Sequence, residues 1–167
     1  LLILNGDISS SSNSKEDIML SYDIASAVTK GEIPCIISRG NHDLRGKYAE
    51  KLELFLPHHN GKSYYSVKLG SMWLLLLDCG EDKLDWHREY SGTVCCHRFR
   101  EDQCDFIEEL KKRAGEEYAS PEYKFRLVVS HVPFNFNNTE ECRGERPFDI
   151  EHEIYDTWCA FAREDVK

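Results

Sequence analysis

The chain has no apolar run long enough to cross a bilayer. Its longest, Met72 to Leu77, falls far short of the roughly 20 residues a transmembrane helix needs, so no membrane segment is expected. Positive charge is also scarce. With 21 Lys and Arg against 30 Asp and Glu, the net charge is -9. A nucleic-acid backbone wants a basic face, so no nucleic-acid partner is expected. Patterned cysteine is missing as well. The seven cysteines (Cys35, Cys79, Cys95, Cys96, Cys104, Cys142 and Cys159) are odd in number and irregular in spacing, which excludes a disulfide framework. Reduced thiols point to a cytoplasmic compartment. Cys95-Cys96-His97 has no second Cys or His pair at zinc-finger spacing, and buried or loop thiols account for it. Beyond the serine run after Ile8 there is no low-complexity segment, and there is no internal repeat. What remains is ordinary for one globular domain: 167 residues, 41% hydrophobic and 31% charged.

The informative stretch is Ser38-Arg39-Gly40-Asn41-His42-Asp43, directly after the apolar run Ile33 to Ile37. A β-branched run closed by such a turn reads as a buried strand with polar side chains at its end. Asn offers a neutral oxygen, His a proton or a lone pair, and Asp a carboxylate able to hold that imidazole in one tautomer. An ordinary Asx-type turn is the plain alternative. The construction recurs, however. Leu1 to Leu4 runs into Asn5-Gly6-Asp7, and Phe125 to Val129 runs into Ser130-His131. Strands that each deliver a metal-competent side chain at the carboxyl end describe an α/β sheet with its site at that edge. Oxygen and imidazole donors without thiolate suit Mn, Fe, Zn or Ni.

The segments between these motifs have readable periods. Ser14 with Asp17 forms a weak capping box for a helix with Ile18, Tyr22, Ala25 and Val28 on one face, closed by Gly31. Strand, helix and strand then make a βαβ unit. A second helix is expected from Lys47 to Phe55, with solvated His58 and His59 after it. Ser63 to Lys68 and Met72 to Asp78 read as a hairpin turning at Leu69-Gly70-Ser71. Asp78 is either a holder of a site residue or a turn former. A long excursion runs from Cys79 to Arg100. A third helix is expected over Glu101 to Ala114 with Phe106, Ile107 and Leu110 inward, and a last one through Ile150, Ile154, Trp158 and Phe161. Asn137-Asn138-Thr139 matches a glycosylation sequon, relevant only to a secreted protein.

Gly6-Asp7, Gly40-Asn41-His42-Asp43 and Ser130-His131, in this order and spacing, resemble the central motifs of the calcineurin-like metallophosphoesterases. The resemblance covers essentially the whole chain and implies an α/β fold, an incomplete four-layer α/β/β/α sandwich. It implies two divalent metal ions sharing one carboxylate, with a phosphate-ester small molecule or a phosphoprotein as substrate. Asp7 matches the bridging carboxylate, and Asn41 and His131 match ligands of the second metal. His42 matches the residue that gives a proton to the leaving oxygen or stabilises its charge, with Asp43 orienting it. Asn5 and Ser130 are strand-end hydrogen bonders. Arg39 and Arg45 flank the turn as phosphate contacts or as surface ion pairs, and function is favoured for Arg45.

The family pattern also has an earlier Asp-x-His and a later Gly-His-x-His, and neither is present. The chain opens without Met inside a strand, so residues 1–167 read as one domain cut at both ends. Three ligands for one metal and only Asp7 for the other imply at most one weak metal and negligible activity for this piece. A non-catalytic α/β ligand- or protein-binding module with a degenerate metal site is the competing reading. A nuclease is disfavoured by the acidic charge.

Overall fold

The structure, a computed structural model, describes residues 1–134 and 151–166. The sequon, Cys142, the loop expected after Phe134 and the start of the last helix at Ile150 lie outside the described residues. The fold is mixed α/β with two sheets.

The first sheet pairs β1 (Leu2–Asn5) with β2 (Cys35–Ser38) in parallel, Leu2 opposite Cys35 and Asn5 opposite Ser38. Parallel strands need a crossover, and α1 (Lys15–Thr29) provides it. Ser14 accepts from Asp17 N–H while the Asp17 carboxylate takes the Ser14 N–H, so the capping box forms. The buried stripe of α1 is Ile18, Ser21, Ala25 and Thr29, one position round from the expected face. Val28 is exposed, and Tyr22 turns its hydroxyl outward to the Phe55 carbonyl. Small side chains at 21, 25 and 29 let the helix lie close on the sheet. Lys30 already takes the left-handed conformation that ends the helix, and Gly31 continues it.

The second sheet runs β3 (Tyr65–Leu69), β4 (Met72–Leu76), β5 (Phe125–Val129). The hairpin β3–β4 is antiparallel and turns at Gly70-Ser71, with Gly70 left-handed as so tight a turn requires. β5 joins β4 in parallel, Leu76 opposite Val129. Between them comes α2 (Cys96–Lys112), which starts well before the expected Glu101. The reason is non-local: Asp85 takes the orphan N–H groups of Cys96 and His97 at 2.8 and 3.0 Å. The segment expected as a second α-helix is a tighter run, Ala49–Leu54, bonded three residues apart and anchored by buried Leu52. The last helix, α3 (His152–Ala160), ends in a wider turn over Phe161–Asp165.

Alternation along β4 sorts the core. Trp73, Leu75 and Leu77 pack with Ile107 and Leu110 of α2 and with Ile154 and Trp158 of α3. Leu74 and Leu76 face the other way and meet Ile3 and Ile36 of the first sheet. Leu4 and Ile37 point back toward Ile18 and Ala25 of α1. Each such side chain, fully buried, stabilises the fold by roughly 1.5–3 kcal/mol. The six cysteines among the described residues are free thiols. No helix among the described residues is long and apolar enough to cross a membrane.

Candidate active site

The ends of β1, β2 and β5 converge. Beyond β1, Gly6 and Asp7 both adopt the left-handed conformation, φ 73° and 51°, which a non-glycine residue adopts only under constraint. The constraint is close packing of two turns. A Cβ on Gly6 would lie 2.4 Å from Gly40 N, and one on Gly40 would lie 2.2 Å from Asp7 Oδ1. Gly40→Ala is therefore expected to lower stability by about 1–3 kcal/mol, measured by urea unfolding. An unchanged midpoint would mean that the two turns do not pack this closely.

The Asp7 carboxylate is the hub. Oδ1 accepts from the His42 backbone N–H at 2.8 Å, and Oδ2 lies 3.0 Å from His131 Nε2. The Asn41 side-chain amide donates from its nitrogen to Asp7 Oδ2 at 3.2 Å and accepts through its oxygen from Arg45 Nη2 at 3.2 Å. Asn5 ties the three strand ends together: its amide donates to Ser130 O, its Oδ1 accepts from Ser38, and its carbonyl takes the His131 Nδ1 proton. The strand-end role expected of Asn5 is thus its observed geometry. Cys79 Sγ sits 3.4 Å from Ser130 Oγ, but burial pushes its pKa up to about 11, so it stays a thiol.

Asp43 does not orient His42. Its Oδ2 accepts the backbone N–H groups of Asp7 and Gly40 at 3.1 and 2.8 Å, locking one turn onto the other. Burial pushes the Asp43 pKa up, against the lowering by those two backbone bonds. The His42 ring is held instead by the Ser10 carbonyl, 2.9 Å from Nδ1, so Nδ1 carries the proton and Nε2 accepts from Arg45 Nη1 at 3.3 Å. A backbone carbonyl in a serine run leaves no signature that sequence reading could have found.

Arg39 and Arg45 are both paired. Arg39 reaches Asp78 at 2.7 Å and lies over the Phe99 ring, away from the Asp7 cluster. Asp78 also accepts from Ser63 Oγ and Gly80 N–H, so it holds Arg39 and forms its turn at once. Arg45 forms a two-pronged pair with Glu81 and stays beside His42. Glu81 was not visible as a partner because it lies in the irregular excursion. His58 bonds the local Leu56 carbonyl, and His97 sits between Glu101 and Glu151.

These atoms bear on metal binding directly. With Nδ1 of His131 donating to Asn5 O, Nε2, 3.0 Å from Asp7 Oδ2, is the nitrogen placed to share a cation with that carboxylate. The Asn41 oxygen, turned here to Arg45, becomes a third donor of the same oxygen-and-imidazole class once the amide rotates toward Asp7. Asp7, Asn41 and His131 therefore fit one divalent ion. Among the described residues no group of three or more His, Cys, Asp or Glu gathers to hold one without the amide.

Neither the curated proteins nor the solved structures gave a match. A family model described as Calcineurin-like phosphoesterase matches residues 1–162. The match takes in all three strand ends and the turns packed on them, and the chain belongs to the calcineurin-like phosphoesterase family.

Proposed function

We propose that this cluster is part of a centre that hydrolyses a phosphomonoester or phosphodiester, one that becomes dinuclear (Mn, Fe, Zn or Ni) when further ligands join Asp7, Asn41 and His131. The observation that carries the reading is the meeting of Asp7, Asn41 and His131 at the turn that begins with His42. Divalent cations, when bound, supply positive charge against the phosphoryl oxygens and lower the pKa of water. Asp7, Asn41 and His131 would hold one of them, with Asp7 shared. His42 is fixed through Nδ1, and its Nε2, which accepts from Arg45 in the neutral ring, has to take up a proton before it can protonate the leaving oxygen or stabilise its charge. Arg45 binds a phosphoryl oxygen, and Arg39 supports the turn through Asp78. The three side-chain clusters, ordered from α1 through two sheets to α2 and α3, favour the four-layer α/β/β/α arrangement. Free thiols favour a reducing, cytoplasmic setting. The substrate is a small phosphate ester or a phosphoprotein.

Three donors are enough for one ion held weakly and too few for two. Calorimetric titration with Mn2+, run beside a p-nitrophenyl phosphate assay, is expected to give at most one weak site and negligible turnover for this chain. Two tight ions with robust turnover would mean that further ligands come from elsewhere, such as a second copy. No metal uptake at all would favour the non-catalytic binding module.

A further inference from the structure

We propose that Glu81 is a positioning residue that aims the Arg45 guanidinium at the phosphoryl group; this rests on the phosphoesterase reading above. The guanidinium has five N–H donors in a rigid plane. Glu81 takes one edge: Arg45 Nε lies 3.1 Å from Oε1 and Nη2 lies 2.6 Å from Oε2. The second Nη2 N–H meets the Asn41 amide oxygen at 3.2 Å, and Nη1 lies 3.3 Å from His42 Nε2. Nη1 carries two N–H groups, so one stays for a phosphoryl oxygen on the side of the His42 ring.

Glu81 is itself on a fixed mount. Its side chain is 7% exposed, against 34% for Arg45. Its carbonyl accepts from Arg100 Nη2 at 2.8 Å, its N–H points to Cys96 Sγ, and Oε2 also accepts from the Tyr90 hydroxyl. Asp82 adds a weaker contact to Arg45 Nη2 at 3.6 Å. A surface ion pair would leave both partners mobile. Here the carboxylate is the stationary half, so the orientation of the mobile half is inherited from it.

Charge and position predict opposite results when Glu81 is changed. Glu81→Gln removes a negative charge beside the site, and by Coulomb's law alone it should tighten binding of an anion. If Glu81 aims Arg45, the same change weakens it. Glu81→Asp keeps the charge and shortens the arm, so a pure charge role leaves affinity unchanged while positioning does not. The probe is inorganic phosphate, titrated by calorimetry into the whole chain at saturating Mn2+, with thermal melts to establish folding. The expected result is about tenfold weaker phosphate binding for both variants, with no further loss when either is combined with Arg45→Gln. Unchanged or tighter binding in either folded variant overturns the proposal, as does a wild-type chain that takes up no phosphate. The Mn2+ titration separates this from the wider reading, which fails when the wild-type chain binds no metal.

Discussion

Replacing His42 with alanine is expected to lower kcat by about 100- to 10,000-fold in any preparation that hydrolyses p-nitrophenyl phosphate, with bound metal unchanged. The separation follows from what each part of the residue touches. The backbone N–H of His42 holds Asp7 Oδ1, and alanine keeps that bond. The hydrogen bonds of the ring go to Ser10 and Arg45, among the described residues. Truncation therefore removes the ring assigned to the leaving oxygen and leaves the donor set in place. Metal content by mass spectrometry and turnover on the same samples give the answer. Equal loss of both would make His42 a ligand or a fold residue and would end the assignment.

What could be read in advance was local. Gly6-Asp7, Gly40-Asn41 and Ser130-His131 each stand at the end of an apolar run, and the parallel pair brings the first two to one edge; β5 lies in the other sheet, and its end reaches them across the sheets through Asn5. The Ser14–Asp17 box and the Gly70 turn are likewise decided within a few residues. The missed features depend on partners far along the chain. The start of α2 is set by Asp85, eleven positions before Cys96, inside a stretch with no period. The Asp43 carboxylate chooses the backbone of Asp7 over the neighbouring imidazole because the two glycines bring those turns into contact. The inner face of α1 rotates because Ser21 and Thr29 pack closer than Tyr22 and Val28 allow, and an apolar period cannot report that. Glu81 carries no motif; its meaning comes from Arg45, 36 positions earlier in the chain.

The largest stability effect is expected at Arg100. This guanidinium is 0% exposed and fully engaged: Nε donates to Cys79 O at 2.9 Å, Nη1 to Glu151 Oε2 at 3.0 Å, and Nη2 to Glu81 O at 2.8 Å. Gln103, one turn on in α2, grips Asp78 N–H and C=O in the same way, so the helix holds the chain leaving β4 at successive points. Arg100→Ala strands a Glu151 carboxylate whose side chain is 5% exposed, together with two buried carbonyls. Breaking one side of a buried pair costs about 3–5 kcal/mol, and urea unfolding should show a loss of that size. His97 Nδ1 remains 3.0 Å from Glu151 and offsets only part of it. Changing both partners, as Arg100→Met with Glu151→Leu, should cost less than the two single changes added together, because no charge is then left alone. A single-variant loss below about 1 kcal/mol would mean that water reaches the pair and that the segment from Cys79 to Glu81 is held by other contacts. The same variant ties stability to the site. Once Arg100 no longer grips the Glu81 carbonyl, the carboxylate that aims Arg45 loses its mount, and phosphate affinity should fall along with the melting temperature.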